Sequence, residues 1–141
     1  MRVAVLSALF ALPVFAADFT LESTSGEASR DASSSKSTFV VNGDQVTYST
    51  KHSGRYPFPE DNDPPKVVKL SNLKEIDAAL GAIRATKDDK KPVKLVDTRY
   101  RTACLSEGKK QLCSTVAGEG TTPRLDAIAK LEQLLFSELM K

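Results

Sequence analysis

The sequence predicts an α+β fold, in which an antiparallel sheet of about five strands carries two amphipathic helices packed on one face. Two observations lead to this expectation. Two segments have the pattern of β-hairpins, and two others carry apolar residues at helical spacing. The predicted order is a strand, a hairpin, a helix, a second hairpin and a second helix. Hairpins impose antiparallel pairing, and the two helices can cover one face of the resulting sheet.

Residues 1–16 have the features of a cleaved secretory signal peptide. Arg2 supplies a basic start, residues 3–12 are almost wholly apolar, and residues 14–16 end in a small residue, Ala16. The apolar run is shorter than the roughly 20 residues that a membrane-spanning helix needs. We therefore expect a secreted or periplasmic protein with no transmembrane segment in the mature chain, which would be one domain spanning residues 17–141.

The charge of the mature chain argues against some classes of partner. The full chain has 20 basic and 18 acidic residues, and loss of Arg2 leaves 19 against 18, a net charge of +1. This balance gives no reason to expect nucleic acid as a partner. Tryptophan is absent and only 6% of the residues are aromatic, so a stacking platform for bases or sugars is poorly supplied. No cofactor is expected.

The two cysteines, Cys104 and Cys113, are expected to form a disulfide, as an even count in an exported protein favours. Gly108-Lys109 lies midway between them, and glycine at the first central position suits a type II′ hairpin turn. Counting back from this turn places Cys104 opposite Cys113 in a non-hydrogen-bonded pair, where side chains are closest. The closed loop should contribute roughly 2–3 kcal/mol. A redox or metal role is the alternative, but the C-x-x-C spacing is missing.

The first half of the mature chain predicts one short strand and one clear hairpin. Residues 19–22 alternate apolar and polar side chains. The serine-rich residues 23–37 are typical of a flexible loop. Residues 38–49 predict a hairpin around Asn42-Gly43-Asp44, with either Asn42-Gly43 or Gly43-Asp44 at its centre. Both registers place four side chains on one face: Phe39, Val41, Val46 and Tyr48.

The second half predicts two helices that flank the cysteine hairpin. Residues 51–65 are expected to form a loop, and residues 66–70 a short strand or an extended lead-in. Ser71 or Asn72 should cap the first helix, with Glu75 completing a capping box from Asn72. Residues 93–103 and 111–117 predict the strands of the cysteine hairpin.

The last helix has clear start signals and a wide apolar stripe. Thr122 is its predicted N-cap, with Pro123 at the first helical position. The width of the stripe leaves two interpretations open: docking of the helix across the sheet, or a surface for a dimer or partner. The stripe consists of Leu125, Ile128, Leu131, Leu135 and Leu139, widened by Leu134, Phe136 and Met140.

No catalytic residue is assigned from the sequence. His52 is the single histidine, and its place at a strand end predicts a solvated loop residue. Neither a G-x-S-x-G elbow nor an H-E-x-x-H motif is present. Ser71 and Lys74 match S-x-x-K at a helix start, but the partner motifs of serine acyl-enzymes are missing, so we expect Ser71 to act as a cap.

An acidic segment offers weak candidates for metal binding. Glu60, Asp61 and Asp63 supply oxygen ligands of the kind that Ca²⁺ takes. The segment lacks the glycine and the distal glutamate of an EF-hand loop. We therefore expect a solvated acidic loop and no metal.

Two features are candidates for a binding role. Tyr56 and Phe58 alternate with prolines, and an aromatic residue in such a stiff segment loses little entropy on binding. Arg99 and Arg101 share a strand face with Asp97, a positive strip that suits an acidic partner. Such strips are also found as solvated faces that make weak ion pairs.

The function that the sequence favours is an exported, non-enzymatic binding module, inhibitor-like or partner-docking, with another exported protein as its partner. Two alternatives stay open. One is a small secreted hydrolase with an unrecognised site. The other is an envelope structural or interaction protein that works through its last helix, including as a dimer.

Overall fold

The structure is a computed structural model that describes residues 18–28, 33–54, 61, 63–87 and 98–141. The predicted signal peptide, residues 1–16, lies outside the described residues. The elements in chain order are β1 (Phe19–Ala28), β2 (Ser33–Asn42), β3 (Gln45–Ser53), β4 (Lys66–Lys69), α1 (Leu73–Arg84), β5 (Thr98–Glu107), β6 (Lys110–Ala117) and α2 (Pro123–Leu139).

The described strands form one antiparallel sheet in the order β4-β3-β2-β1-β5-β6, which confirms the α+β prediction. The strand beyond the expected five is β4, the segment for which the sequence allowed either a short strand or a lead-in. The β2–β3 hairpin pairs Asn42 with Gln45, so Gly43 and Asp44 are its central residues. Gly43 has a φ of +63°, a conformation that glycine adopts without a steric cost.

One face of the sheet and both helices share a single apolar core. Leu21, Phe39, Val46 and Leu105 are at most 1% exposed and point to the same side of the sheet. The predicted face of the first hairpin is therefore the buried one. The helices contribute to the same cluster Ile76, Leu80, Ile83, Leu125, Ile128, Leu131, Leu135 and Leu139.

The structure corrects the prediction of a flexible loop for residues 23–28 and 33–37, and residues 29–32 lie outside the described residues. β1 runs to Ala28 and β2 begins at Ser33, so residues 23–28 and 33–37 are paired strands of a long hairpin. The loop is predicted from the sequence because a serine-rich segment cannot bury an apolar face. These strands do not need one, because β1 lies between β2 and β5, and β2 lies between β1 and β3. Backbone hydrogen bonds on both sides hold them in the sheet.

The cysteine hairpin agrees with its prediction. β5 and β6 pair Glu107 with Lys110 and Cys104 with Cys113, and Gly108 has a φ of +59°. Cys104 and Cys113 are joined by a disulfide, with their Cα atoms 4.1 Å apart. Because Leu105 points to the helices, Cys104 lies on the opposite face of the sheet.

The start of α1 is capped by a residue far away in the sequence. The predicted capping box is absent, since the Asn72 side chain makes no capping hydrogen bond. Instead the Glu138 carboxylate, only 1% exposed, accepts hydrogen bonds from the backbone N–H groups of Ser71 and Asn72 and from the Ser71 hydroxyl. Lys141 forms an ion pair with Glu138 at 3.2 Å. Sequence spacing cannot reveal a cap supplied by another helix.

The start of α2 follows the sequence signals. The Thr122 side chain accepts a hydrogen bond from the Leu125 N–H, with Pro123 at the first helical position. Arg124 is 5% exposed and donates hydrogen bonds to the carbonyl oxygens of Cys113 and Thr86 at 3.1 and 3.0 Å. Neither helix of the described chain is long and apolar enough to cross a membrane.

Candidate functional site

A cleft opens where the apolar side chains on the helix-facing side of the sheet give way to small polar ones. Continuing the alternation of Leu21 and Phe39 along β1 and β2 leads to Ser25 and Ser35, which are too short to fill the space above the sheet. The cleft has a volume of about 680 Å³, within the usual range for ligand sites. Its described lining residues are Ser25, Gly26, Glu27, Ser33, Ser34, Ser35, His52, Ser53, Arg99, Tyr100, Arg101, Gly118 and Glu119.

Four of these residues form a row across the sheet. His52 is the Cα partner of Ser35, Ser35 of Ser25, and Ser25 of Arg101. All four side chains leave the sheet on the same side, because residues in direct register share a face. Three strand spacings separate His52 from Arg101, a span of about 14 Å. The cleft therefore has a serine floor between a histidine on one side and an arginine on the other.

His52 is positioned by Asp61, which corrects the prediction of a solvated loop histidine. Nδ1 of His52 lies 2.8 Å from Oδ1 of Asp61, and the backbone N–H of His52 donates to both carboxylate oxygens at 3.1 and 2.9 Å. The His52 side chain is only 24% exposed. Hydrogen bonds from the side chain and then the backbone of His52 hold the pKa of Asp61 below its ordinary value.

The sheet register explains why Asp61 is needed. Counted from the Gly43-Asp44 turn, His52 and Ser35 form a non-hydrogen-bonded pair, so the N–H of His52 points away from β2. Strand β4 pairs with β3 only as far as Tyr48 and does not reach this group. The Asp61 carboxylate takes the place of a strand partner and fixes the ring at the same time.

Arg99 and Arg101 both line the cleft and share the face that the sequence predicted for them. Nε of Arg99 lies 3.3 Å from Oε1 of Glu27, and the Arg99 side chain is 84% exposed. Arg101 is exposed and donates a 3.4 Å hydrogen bond to the Gly120 carbonyl. Asp97, predicted on the same face, lies outside the described residues. The binding role of both arginines stays a prediction.

Glu132 of α2 lies between the core and this cleft. Burial raises the pKa of its carboxyl above the ordinary value, and a hydrogen bond with Ser23 and the charge of Arg101 offset part of that effect. Ser23 is the residue of β1 that precedes Ser25 on the same face. The positive charge of Arg101 is thus close to one partly buried acidic group.

The other predicted site residues are placed as follows. Tyr56, Phe58 and Glu60 lie outside the described residues. Ser53, which precedes this segment, lines the cleft, and Asp61, which follows it, binds the lining residue His52. Asp63 is exposed. Across the described ranges, no group of three or more histidine, cysteine, aspartate or glutamate side chains is arranged to hold a metal ion.

Ser71 does not serve as the predicted cap of α1, because the N-cap residue is Asn72 and the Ser71 hydroxyl links the two helices instead. Its hydroxyl donates to Oε1 of Glu138 at 2.9 Å and accepts from Nζ of Lys141 at 2.9 Å. A hydroxyl that donates to a carboxylate and takes a bond from an ammonium group is positioned as a structural link between α1 and α2.

The wide stripe of α2 packs mainly inside the molecule. Phe136 contacts Phe39 and Tyr48 through ring centroids 4.9 and 5.3 Å apart, and five leucine and isoleucine residues of the stripe are buried. Phe136 and Met140 remain 37% and 82% exposed. Dimer formation through this helix stays a prediction.

Sequence reasoning missed the serine floor and the His52–Asp61 pair. A signal for the floor exists, because Ser25 and Ser35 continue the two-residue period that begins at Leu21 and Phe39. The pairing of His52 with Asp61 joins two residues nine positions apart in an arrangement that no local pattern encodes. No protein-family model matches this chain, and no curated protein matches it either.

Proposed function

We propose that this protein is a small exported binding module, non-enzymatic, that binds its ligand in the cleft at the serine-lined end of the sheet. The observation that carries the proposal is the row His52, Ser35, Ser25 and Arg101, in which two groups able to donate hydrogen bonds face each other across a floor of hydroxyls. Concave sites with a few convergent polar groups are the usual place for ligands.

The rigidity of the surrounding sheet supports binding at this cleft. The floor residues lie on the central strands β1 and β2, which are paired on both sides. Asp61 fixes the orientation of His52, so little entropy is lost when a ligand contacts it. The Cys104–Cys113 disulfide is compatible with an exported protein.

A small hydrolase is the second candidate, because a carboxylate-oriented histidine beside a serine is the arrangement of a serine nucleophile and its base. Ser35, as a non-hydrogen-bonded neighbour of His52, is the serine that this candidate requires. The arrangement is a poor catalyst for acyl transfer, however. The backbone N–H groups around Ser35 are engaged in the sheet, which leaves them unable to stabilise an oxyanion.

The proposal is tested by screening small acidic, neutral and hydroxyl-rich compounds against the oxidised protein by ¹H–¹⁵N NMR. We expect at least one compound to shift the amide resonances of Ser25, Ser35 and His52 together. Arg99→Ala combined with Arg101→Ala should weaken its binding at least tenfold, since hydrogen bonds to charged groups contribute about 1.5–3 kcal/mol.

The matched control is Lys109→Ala combined with Lys110→Ala, which removes the same charge at the exposed tip of the β5–β6 hairpin. It should bind like the unmodified protein. Equal weakening in both double variants would mean that charge alone drives binding. Hydrolysis of 4-nitrophenyl acetate that is lost in both His52→Ala and Ser35→Ala would favour the hydrolase instead.

A further inference from the structure

We infer that the ligand of this cleft is a short acidic saccharide, bound with a carboxylate against Arg101 and its hydroxyls over Ser25 and Ser35. The inference rests on the proposed function, because it names the chemical class of ligand for the same cleft. Three features of the described lining carry it: a guanidinium with capacity for an anion, a hydroxyl floor, and a rim of mixed charge.

Arg101 supplies the group that recognises a carboxylate. Its guanidinium makes one long hydrogen bond, to the Gly120 carbonyl at 3.4 Å, within the part of the chain that the structure describes. Five N–H donors in a planar fork can bind a carboxylate through two parallel hydrogen bonds.

The floor beside Arg101 matches a ligand that carries several hydroxyls. Ser25 and Ser35 lie next to Arg101 in the row, one and two strand spacings away, and a serine hydroxyl both donates and accepts. Glu27 and Glu119, also in the lining, accept hydrogen bonds from hydroxyl groups. Sugar hydroxyls supply both donors and acceptors at a spacing close to that between neighbouring strands.

The same lining disfavours the competing ligand classes. Glu27 and Glu119 balance the charges of Arg99 and Arg101 in the described lining, so a densely charged polyanion, such as an acidic peptide or a polyphosphate, meets no excess of positive charge there. Tyr100 is the one tyrosine, phenylalanine or tryptophan among the described lining residues, and its side chain leaves the sheet on the face opposite Arg101, so a ligand that depends on ring stacking finds little surface in the cleft. A ligand whose carboxylates are well separated and which carries many hydroxyls fits the charges and hydroxyl groups of the described lining.

The test uses trigalacturonate as the probe, with galactotriose as the neutral counterpart of the same ring type. Binding to the oxidised protein is followed by isothermal titration calorimetry and by NMR at 50 mM salt. We expect trigalacturonate to shift the amide resonances of Ser25, Ser35 and Arg101, and galactotriose to bind at least tenfold more weakly. Arg101→Gln should weaken trigalacturonate binding about tenfold or more.

Two further variants make the test specific. Ser25→Ala combined with Ser35→Ala should weaken trigalacturonate binding about 30-fold, since each of the two neutral hydrogen bonds contributes about 1 kcal/mol. Lys109→Gln removes one charge at the opposite end of β5, about 20 Å from Arg101, and should change the affinity less than twofold. The NMR spectra of all variants report whether each one is folded.

The outcomes separate this inference from the proposed function. Tetraglutamate or inorganic phosphate binding as tightly as trigalacturonate overturns the saccharide assignment, and so does an affinity that Arg101→Gln leaves unchanged. If trigalacturonate does not bind while another compound shifts the cleft resonances, the saccharide inference is wrong and the proposed binding function of the cleft is supported. If no compound of any class shifts the cleft resonances, both are wrong.

Discussion

Glu138 is the residue on which the junction of the two helices depends. A buried carboxylate is costly unless its oxygens are paired, and this one accepts three hydrogen bonds from Ser71 and Asn72 and contacts Lys141. Burial alone raises the pKa of Glu138. The hydrogen bonds from Ser71, Lys141 and Asn72 outweigh that effect and hold the pKa below its ordinary value.

The depressed pKa of Glu138 predicts a loss of stability in acid. Since the folded-state pKa lies below the unfolded value of about 4.3, the contribution is fully present above pH 4.3 and is lost as the pH falls through the folded pKa. We expect Glu138→Gln to lower the free energy of unfolding by about 1–2 kcal/mol at pH 6. The difference from the unmodified protein should shrink as the pH is lowered to about 3.

Urea unfolding at a series of pH values measures this difference. Glu75→Gln, which removes an exposed carboxylate from the first turn of α1, is the control and should change the free energy of unfolding by less than 1 kcal/mol. A difference between Glu138→Gln and the unmodified protein that stays constant from pH 6 to pH 3 would contradict the assigned role.

At the scale of elements, the long β1–β2 hairpin decides the shape of the cleft. Gly26 lies in this hairpin opposite Ser34, where the two strands approach closely. A Cβ built on Gly26 would lie 2.5 Å from the carbonyl oxygen of Ser33 and 2.9 Å from Cβ of Ser34. Glycine is needed here for space, because any side chain forces backbone atoms of the partner strand to move.

Two glycine-to-alanine substitutions, expected to change the free energy of unfolding in opposite directions, test whether Gly26 is needed for space. Gly26→Ala should lower the free energy of unfolding by about 1–3 kcal/mol through crowding. Gly81→Ala, on the exposed face of α1 with no neighbouring atom within 4 Å of the added Cβ, should raise it by about 0.5–1 kcal/mol. Thermal unfolding of both variants measures the effects. An unchanged Gly26→Ala would support the flexible loop that the sequence predicted.

The elements that could be predicted are those whose signal is local. Residues 38–49 carry a turn signal between β-formers, and Thr122-Pro123 carries a helix start, so the first hairpin and α2 agree with the structure. The serine strands could not be predicted by the same means. Their stability comes from backbone pairing with neighbours on both sides, and that depends on the strand order of the whole sheet.

In the candidate site, too, only the features with a local sequence signal could be predicted. Arg99 and Arg101 were predicted to share a face, because a two-residue period is a local property. Their neighbours Ser35 and His52 come from strands more than 45 residues away, and register between distant strands is not visible in either segment. Sequence therefore predicted individual side chains of the cleft and not their assembly.

At the scale of the whole molecule, α2 ties the other elements together at both of its ends. At its start, Arg124 donates hydrogen bonds to Cys113 of β6 and to Thr86, just after α1. At its end, Glu138 caps α1, and the Leu139 carbonyl accepts a 2.7 Å hydrogen bond from Nζ of Lys66 on β4. The helix thus links the two edge strands of the sheet, β4 and β6, across the buried core.

This arrangement predicts that Arg124 and Glu138 contribute independently to the free energy of unfolding of a protein that unfolds in a single transition. Arg124→Met leaves the carbonyl oxygens of Cys113 and Thr86 without these donors and should lower the free energy of unfolding by about 2–3 kcal/mol. Arg124 and Glu138 are separated by 14 residues of helix, or about 21 Å, too far for direct coupling. In the double variant with Glu138→Gln, the two losses should therefore add to within about 0.5 kcal/mol.

Urea unfolding followed by near- and far-ultraviolet circular dichroism measures the sum of the two losses. Both signals should change in one shared transition, because the helix, both edge strands and the core are held as one structure. Separate transitions would show that the two ends of α2 stabilise different parts of the protein, and a sum that differs by more than 1 kcal/mol would show that they are coupled through the helix.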